Sequence, residues 1–366
     1  MKFSINKENI LQELQLLQGI VEKRSTMPIL GNILMKATEN EVELTGTDLE
    51  VGLRTHFPAE VEEPGSLTVS GKKLFEIVRA IAGGQKVLFK ESENLMMEIT
   101  SGASQFKVLC LPKEDYPQVP VPKFEKDIVL PLDKIKDMID RVYFAITQEQ
   151  RYYLNGALMI IKDKNIELVS TDGHRLAYTS LALEGLNLEG EIRGIVSKKT
   201  LGEMRKFEDE NLEFDLDENN LFFKVKNRTL VSRIIEGKFP NYEAVIPKGN
   251  PKTLSLSREE ISDAIRRVSL LSTERSKGIK FSIEKNQISL FSSNPEMGEA
   301  RDKVDVEYDG DQFEVGFNSQ YLLDFLTSVK SEKIRFEMKD ENSAVMMTPE
   351  VEEEVKDIYV IMPMKI

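Results

Sequence analysis

The residues best suited to chemistry lie at positions 171–177, where the chain reads TDGHRLA. Asp172 and His174 could act as an acid–base pair beside a serine, because imidazole titrates near neutral pH and a carboxylate can orient it. Nearly any chain of this length supplies such a trio, and Asp-Gly is a frequent turn sequence. We therefore interpret His174 as a loop residue that can line a binding pocket. A hydrolase that uses His174 for catalysis is our third hypothesis, after two non-catalytic functions.

Other catalytic patterns are absent from the sequence. With two histidines and one cysteine, the chain has no His/Cys cluster with the spacing of a metal site. It contains no phosphate-binding GxxxxGK[ST] loop, no GxGxxG and no GxSxG. We expect a protein that is not an enzyme and has no catalytic residue, no cofactor and no metal. The single cysteine, Cys110, lies in an alternating apolar run and is predicted to be a strand thiol without a redox role.

Composition favours a protein of several domains outside the membrane. The 366 residues, of which 40% are hydrophobic, can bury a core in each of roughly two to four domains. Residues 1–10 lack a secretory apolar run, and no window approaches the roughly 18 apolar residues of a membrane span. We therefore expect a cytoplasmic protein. The formal net charge of −13 argues against coating nucleic acid by bulk attraction, although it leaves room for a local basic surface.

The stretch at residues 171–177 belongs to a larger unit that is written three times. Related stretches lie at residues 47–53 and 294–297, so the repeat is about 124 residues long. Polar residues suited to cap a helix recur at a similar interval, each four positions before an apolar helical stripe: Ser70, Ser197 and Asn318. These spacings indicate repeats of whole domains.

Each repeat opens with a strand and a helix and continues with short strands, a second helix and further strands. In the first repeat, residues 2–5 alternate as a strand, residues 10–17 carry a helical stripe, and residues 29–35 form the next strand. Short turns join the strands, so the sheets should be mostly antiparallel. The sequence therefore predicts an α+β protein of three repeated domains, each with two helices packed on antiparallel sheets. Proline-containing links place their bounds at 1–125, 126–250 and 251–366.

Lysine and arginine collect on the predicted helices and their flanks although the chain is acidic overall. This basic set includes Lys72, Lys73, Arg79, Lys134, Lys136, Arg141, Lys198, Lys199, Arg205, Lys206, Arg266 and Arg267. Its recurrence favours an anionic partner that meets the helices. Two chains could close a ring of six repeats with the helices inward. Twelve helices, each about 10 Å wide and set side by side, would then leave an opening of roughly 28 Å. A DNA duplex fits loosely, and contacts to phosphates alone would allow sliding.

With these features, the chain closely resembles the family of bacterial β sliding clamps, the processivity subunits of the DNA polymerase III holoenzyme. The resemblance covers all 366 positions. Six motifs carry it: PILGN at 28–32, LTGTDLE at 44–50, RYYLNG at 151–156, TDGHRLA at 171–177, FPNY at 239–242 and MPMKI at 362–366. The chain departs from the common family pattern at Ala244, Lys365 and Ile366.

The resemblance implies a DNA sliding clamp, in which each chain forms half of a six-domain ring. The head-to-tail homodimer would encircle double-stranded DNA without reading its sequence, after loading by an ATP-driven clamp loader. It would tether the replicative polymerase subunit, repair polymerases and mismatch-repair factors through short linear peptides. No membrane partner is implied. The alternative, which the acidic charge makes reasonable, is a repeat scaffold that binds peptides and does not encircle DNA.

The family also implies three sets of site residues. The cleft for partner peptides, between the second and third domains, should comprise Leu154, Thr171, Gly173, His174, Arg175, Leu176, Pro240, Val245, Asn318, Tyr321, Val345, Val360, Met362, Pro363 and Met364. The DNA contacts should be Arg24, Lys72, Gln148, Arg151, Tyr152, Tyr153 and Lys198, to which the charge pattern adds Lys199 and Arg205. The dimer contact should join Lys73 and Phe106 to Leu270, Leu271, Glu296 and Glu299.

Overall fold

The computed structural model describes residues 1–21, 27–125, 128–147, 152–183, 186, 188, 190–350 and 354–365, with Tyr152 described by its backbone only. These residues divide into two compact units. The first unit consists of Met1–Asp133 and Lys199–Ile234. The second consists of Lys134–Lys198 and Ile235–Ile366. The chain therefore leaves and re-enters each unit, and each unit contains parts of consecutive sequence repeats.

The described residues contain two α-helices for each sequence repeat. They are α1 (Lys7–Leu17), α2 (Gly71–Ala80), α3 (Leu132–Tyr143), α4 (Lys198–Met204), α5 (Arg258–Ser269) and α6 (Ser319–Ser328). Two of the predicted caps are confirmed. The Ser70 hydroxyl accepts from the backbone N–H of Lys73 at 3.4 Å, and the Asn318 side chain accepts from that of Gln320 at 2.9 Å. Each bond satisfies one amide that would otherwise lack a partner at the start of a helix.

Short strands make up the rest of each repeat. The first repeat has β1 (Lys2–Asn6), β2 (Asn32–Ala37), β3 (Glu41–Thr47), β4 (Val51–Pro58), β5 (Glu60–Glu63), β6 (Gly65–Ser70), β7 (Lys86–Ser92), β8 (Met96–Ser101) and β9 (Ser104–Leu111). The second has β10 (Ile128–Pro131), β11 (Gly156–Lys162), β12 (Asn165–Thr171), β13 (Arg175–Ala182), β14 (Glu191–Ser197), β15 (Asn211–Leu216), β16 (Asn220–Val225) and β17 (Arg228–Arg233). The third has β18 (Lys252–Ser257), β19 (Gly278–Glu284), β20 (Gln287–Asn294), β21 (Gly298–Asp305), β22 (Phe313–Asn318), β23 (Lys333–Met338), β24 (Val345–Pro349) and β25 (Val355–Ile361).

The strand predicted at residues 29–35 is wrong in its first part. Pro28–Gly31 forms a short 3-10 helix, and β2 begins only at Asn32. Proline suits the first turn of a helix because its φ is already fixed and it lacks the N–H that would go unused there. Ile29 and Leu30 are buried in this turn and pack against Tyr116. A second 3-10 turn, Tyr152–Leu154, precedes β11 in the same way.

The first unit is built on one 13-stranded sheet with α1 and α2 packed side by side. The strand order is β10-β15-β16-β17-β4-β3-β2-β6-β9-β8-β7-β1-β5. The apolar stripe of α1, which includes Ile10, Leu14 and Leu17, is fully buried. This burial supplies most of the stability of an amphipathic helix.

The second unit contains two sheets. An eight-stranded sheet has the order β14-β11-β12-β13-β25-β24-β23-β18, and a four-stranded sheet has the order β21-β20-β19-β22. Helices α5 and α6 pack together, and α5 also packs on β18 to β21. Tyr359 of β25 is fully buried and stacks on Phe325 of α6 with ring centres 4.9 Å apart.

Two sheets continue from one sequence repeat into the next. In the first unit, β4 of repeat one pairs with β17 of repeat two, with Thr55 opposite Arg228. In the second unit, β13 of repeat two pairs with β25 of repeat three, with Thr179 opposite Asp357. We call these pairings the first and second seams. The strand pairings among the described residues are antiparallel, which confirms the predicted α+β class with repeated domains.

Candidate functional site

The turn between β12 and β13 is held by its own side chains. Thr171 Oγ1 accepts from the N–H of Gly173 at 3.1 Å and donates to the carbonyl of Arg175 at 2.6 Å. Asp172 Oδ1 accepts from the N–H groups of His174 and Arg175 at 2.9 and 3.1 Å. Gly173 has φ +91°, a left-handed conformation that favours glycine. The sequence TDGHR therefore encodes one rigid turn.

His174 lies exposed at the tip of this turn. Asp172, the carboxylate that would have to orient its imidazole in a hydrolase, is already engaged on both oxygens. Oδ1 accepts the two backbone N–H groups, and Oδ2 accepts from Arg175 Nε at 3.0 Å. This geometry favours the interpretation of His174 as a loop residue over an acid–base role.

Arg175 anchors the turn to its surroundings. Its side chain is 8% exposed, and its Nη1 donates to Asp324 of α6 at 2.5 Å. Its Nη2 donates to the carbonyl of Phe144, just after α3, at 2.7 Å. The guanidinium also lies over the ring of Tyr321, 4.2 Å from its centre. Arg175 thus holds a turn and two helices in one arrangement and has no donor nitrogen directed only to solvent.

An apolar cluster lies under the turn. It brings together three of the predicted cleft residues, Leu154, Leu176 and Val360, and also contains Leu158, Ile160, Val169, Ile195, Ile235, Phe239 and Tyr242. The rings of Tyr178 and Tyr242 stack with centres 6.0 Å apart. The Tyr242 hydroxyl donates to Glu167 at 3.0 Å, so its polar end is satisfied while its ring packs inward.

Exposed apolar side chains lie beside this cluster. Pro240 and Val245 belong to the segment that carries Phe239 and Tyr242, and Val245 is 45% exposed. Met362 follows β25 and is 43% exposed. Because exposed apolar residues next to a preformed apolar floor are a common feature of peptide grooves, this part of the second unit suits the burial of a partner's side chains.

The C-terminal segment is pinned to two other elements. The N–H of Met362 donates to the carbonyl of His174 at 2.9 Å, and the N–H of Met364 donates to the carbonyl of Gly316 in β22 at 2.9 Å. Pro363 lies half-buried between them. Asn318 and Tyr321 lie at the start of α6, and the Tyr321 carbonyl accepts from the Tyr359 hydroxyl at 2.8 Å.

The predicted set of cleft residues includes one residue that lies inside the sheet and omits three residues that contact the apolar cluster. Val345 is fully buried and pairs with Ile361 inside the sheet, so its side chain belongs to the interior. Conversely, Tyr178, Ile246 and Ala344 pack against the cluster although sequence reasoning missed them. Tyr178 had a detectable signal, because it lies two residues after Leu176 on the same face of a strand.

The residues predicted to meet DNA fall into three groups. Arg24, Gln148, Arg151 and the side chain of Tyr152 lie outside the described residues. Lys72 and Arg205 are exposed, and Tyr153 packs against the apolar cluster. Lys198 and Lys199 are half-buried, and their ammonium groups donate to protein oxygen atoms.

The ammonium group of Lys198 donates to the carbonyl of Ile146 at 2.8 Å and lies 5.1 Å from the centre of the Tyr143 ring. Burial lowers the pKa of Lys198, and the nearby charge of Arg175 lowers it further. In the first unit, Lys199 Nζ donates to Asp48 at 2.5 Å and to the carbonyl of Ile20 at 2.8 Å. Both lysines therefore hold local structure.

The expectation that Arg141 belongs to an exposed basic face is wrong. Arg141 is 5% exposed and forms ion pairs with Asp357 of β25 and, at 2.7 Å, with Asp137 of its own helix. It follows Asp137 by one helical turn and sits beside the apolar stripe of α3, whose members Met138, Ile139 and Val142 are fully buried. Its charge is therefore used inside the second unit.

The residues predicted for the dimer contact lie at the surface of each unit. In the first unit, Lys73 of α2 is exposed and pairs with Glu76 at 2.8 Å, while Phe106 of β9 is half-buried. In the second unit, Leu270 follows α5 and is 76% exposed, and Leu271 is half-buried. Glu296 and Glu299 are exposed, in the β20–β21 turn and in β21.

Neither a metal centre nor a membrane segment is found in the described part of the chain. It contains no group of three or more His, Cys, Asp or Glu residues that could hold a metal ion. None of its helices is long and apolar enough to cross a membrane.

Comparison with known proteins gives a consistent result over the whole chain. Models of the DNA polymerase III beta subunit match its N-terminal domain at residues 1–120, its central domain at 129–241 and its C-terminal domain at 243–365. The beta sliding clamp of Pseudomonas aeruginosa is 33% identical over 371 residues, covering 100% of both chains. A crystal structure of the sliding clamp from that organism superposes with a TM-score of 0.94 at 33% identity, again covering 100% of both chains. The DNA polymerase III beta subunit of Bartonella birtlesii, bound to griselimycin, gives 0.93 at 32% identity with the same coverage.

Proposed function

The chain belongs to the DNA polymerase III beta subunit family, the bacterial sliding clamps, and we propose that two copies close a ring around double-stranded DNA. Sliding clamps tether the replicative polymerase and so confer processivity. In this proposal the protein performs no chemistry itself and acts in the cytoplasm. The domain bounds of 1–125, 126–250 and 251–366 are part of the proposal.

The proposal of a ring is supported by two strand edges that lack a partner strand in the described residues. In the described residues, β21 pairs with β20 along its length and has no strand on its other side. β9 joins β6 only through Cys110 and Leu111, so residues 104–109 have a free edge opposite β8. By position in the repeats, β21 corresponds to β4 and β13, and β9 corresponds to β17 and β25. A third seam, between β21 of one chain and β9 of another, would complete the series.

The internal repeats supply the register of this third seam. Ser170 of β12 and Ser292 of β20 are both buried and donate at 2.6 Å to Val142 and Val268, which occupy matching places in α3 and α5. Their strand partners, Ala177 and Ala300, therefore correspond.

On the other strand, Phe106 corresponds to Leu230 and Tyr359. All three are reached through matching hairpin pairs, Phe106 with Ile99, Leu230 with Phe223 and Tyr359 with Met347. Since Tyr359 lies opposite Ala177, we infer that Phe106 lies opposite Ala300 of the partner subunit. The same register puts Lys107 opposite Glu299, a favourable pair of charges.

Exposed apolar side chains support the same contact. Leu109 at the end of β9 is 67% exposed, Leu270 after α5 is 76% exposed and Met297 before β21 is 65% exposed. Leu270 corresponds in the second repeat to Phe144, whose ring packs edge-on against Tyr359 at 5.7 Å. By this correspondence Leu270 would pack against Phe106 of the partner subunit. Two such seams, related by a two-fold axis, close six repeats.

The cluster under the 171–175 turn is proposed as the cleft for partner peptides. Its apolar floor, the exposed Pro240 and Val245 and the Met362–Met364 wall would take the hydrophobic side chains of a short linear peptide. The unbranched methionines suit several partners, because their flexible side chains can adapt to different shapes. The replicative polymerase subunit, clamp loader, repair polymerases and mismatch-repair factors would compete for this cleft.

For DNA, Lys72 and Arg205 are proposed as phosphate contacts, because both side chains are exposed in the described structure. Arg24, Gln148, Arg151 and Tyr152 remain proposals on the strength of the family resemblance alone. Lys198 and Lys199 are proposed to contribute charge while holding their loops in place.

Sedimentation equilibrium tests the closed dimer. We expect a mass twice the 41.7 kDa of the chain, and expect Leu270→Asp to give a monomer by placing a carboxylate in the seam. Val121→Asp is the matched control, because Val121 is 68% exposed in the link after the first repeat. A monomeric natural protein, or a Leu270→Asp variant as dimeric as Val121→Asp, contradicts the proposal.

A further inference from the structure

Beneath the first seam, an ion pair ties the two repeats together. The carboxylate of Glu13 in α1 accepts from Arg228 of β17 at 2.6 and 2.9 Å, and from the hydroxyl of Thr55 in β4 at 2.7 Å. Glu13 is 4% exposed and Arg228 is 8% exposed. Glu13 and Thr55 belong to repeat one and Arg228 to repeat two, so this buried pair crosses the seam.

A buried ion pair with the charges reversed crosses the second seam. Arg141 of α3, in repeat two, forms an ion pair with Asp357 of β25, in repeat three. Asp137, one turn earlier in α3, supports Arg141 at 2.7 Å. The residue opposite Asp357 is the buried Thr179 of β13, so the strand nearer the helix contributes a neutral residue, as Thr55 does in the first seam.

The seam between two chains would have different residues at the position of the charged strand residue and at the position of the threonine opposite it. In the register derived above, Ser104 takes the place of Arg228 and Asp357, and Asp302 takes the place of Thr55 and Thr179. Arg267 of α5 takes the place of Arg141 and, like it, follows an aspartate by four residues, here Asp263. In the second seam, the carboxylate belongs to Asp357, on β25, across the seam from the repeat that contains the helix. In the seam between chains, it belongs to Asp302, on β21, in the same chain as Arg267.

As a result, the ion pair at this edge is complete within one chain. Arg267 Nε donates to Asp302 at 2.6 Å, with the arginine side chain 60% exposed and the aspartate side chain 24% exposed. Separating either internal seam would leave a buried charge without its partner, which is costly. Separating the seam between chains would leave the Arg267–Asp302 pair intact.

We propose that Ser104 and Asp302 keep the seam between two chains separable by confining the ion pair of Arg267 to one subunit. This inference rests on the proposed ring. It assigns to these two residues the control of how long the dimer persists, whereas the apolar contacts of Phe106 and Leu270 provide its adhesion. Placing the carboxylate on the other chain, opposite Arg267, should slow the separation of the two chains.

Subunit exchange measures this property directly. Unlabelled chains and chains grown on heavy nitrogen are mixed, and native mass spectrometry follows the appearance of mixed dimers. The variant S104D/D302T reproduces the Thr179–Asp357 arrangement under Arg267, and we expect its exchange to be slower than that of the natural protein by at least about tenfold. The matched control, S104N/D302T, has the same shape without the charge and should exchange at least as fast as the natural protein.

A second variant makes the test independent of the first. S104R should pair with Asp302 across the seam, as Arg228 pairs with Glu13, and should also slow exchange relative to S104Q. Adding R267Q to S104D/D302T should restore fast subunit exchange, because the introduced carboxylate then has no arginine to pair with. If both charged variants exchange as fast as their neutral controls, the inference is wrong while a dimeric natural protein keeps the ring proposal. A monomeric natural protein instead overturns the ring, and this inference with it.

Discussion

The guanidinium of Arg175 contacts three parts of the second unit at once. Nε bonds the turn at Asp172, Nη1 bonds α6 at Asp324, and Nη2 bonds the carbonyl of Phe144. Such a planar group with several fixed donors cannot be replaced by a single ammonium group. Arg175 is therefore a positioning residue: its donors bond to protein atoms and hold the turn beside the proposed cleft.

The substitution Arg175→Lys tests this role. We expect it to lower the free energy of unfolding by about 2 kcal/mol, because a single ammonium group leaves at least one of the half-buried carboxylates of Asp172 and Asp324 without its partner. Chemical denaturation measures the change. Arg193→Lys is the matched control, since Arg193 pairs with Glu191 at 3.3 Å on the surface and should change stability by less than about 0.5 kcal/mol. Equal effects at the two positions would show that Arg175 does not organise the turn.

The thiol of Cys110 is shielded from solvent. The residue is 2% exposed, and burial raises the pKa of its thiol to about 11. At pH 8 only about one thiol in a thousand is ionised, so iodoacetamide should modify the native protein very slowly. The unfolded thiol ionises near pH 8.5 while the native one keeps its proton, so this group lowers stability as pH rises above about 8.5. Rapid alkylation of the native protein at pH 8 would contradict this assignment.

The C-terminal segment connects two other elements and borders the proposed cleft. Met362 is bound to the 171–175 turn and Met364 to β22 through backbone hydrogen bonds. These contacts fix the segment beside the apolar floor, which contains Leu154, Leu176 and Val360. Loss of the segment should open one side of the cleft without disturbing β9 or β21.

Deleting residues 362–366 should therefore abolish binding of a short polymerase peptide while the protein stays dimeric. Fluorescence anisotropy with a labelled peptide measures binding, and sedimentation measures the dimer. Deleting only residues 365–366 is the control and should keep most of the affinity, because Met362 and Met364 retain their bonds. Unchanged affinity after the longer deletion would place the cleft elsewhere.

Local elements were predictable to the extent that they depend on local patterns. The caps at Ser70 and Asn318 follow from side chains that reach nearby amides, and the threefold repeat follows from the spacing of such signals. The 3-10 turn at Pro28–Gly31 was missed because its buried apolar residues also suit a strand. In the third repeat, the structure matches Ser292 to Ser170 and so shifts the predicted match of residue 294 to 171 by one position.

Long-range contacts were not predictable from one sequence. Nothing local in β4 or β17 indicates that they pair, since strand pairing depends on which elements the fold brings together. For the same reason Arg141 looked like part of a basic helix face, although its partner Asp357 lies 216 residues later. The cleft motifs were identified by family resemblance, and Asp324, which binds Arg175, carried no recognisable signal.

The net charge of −13 would repel the phosphates of a DNA partner. The proposed enclosure would resolve the conflict, because a closed ring needs little attraction to stay on a duplex. A few exposed cations are sufficient to keep contacts at the level of phosphates. Lys72 and Arg205 are the two proposed cations whose side chains are exposed in the described structure.

Charge reversal at these cations separates a clamp from a peptide scaffold. The double variant Lys72→Glu with Arg205→Glu should lower loading onto DNA severalfold at low salt, with peptide affinity unchanged. The control pair, Lys123→Glu with Lys285→Glu, makes the same charge change at exposed residues that have no proposed DNA role. Full loading by the first variant would favour a scaffold.

If enclosure holds the protein on DNA, the topology of the DNA decides whether the protein stays bound. The protein is loaded onto nicked circular DNA by its clamp loader with ATP, washed in high salt, and the circle is then cut once. We expect retention on the intact circle through the wash and release after the cut, because only an open end lets a ring slide off. Equal retention on the circle and on the cut DNA would contradict it.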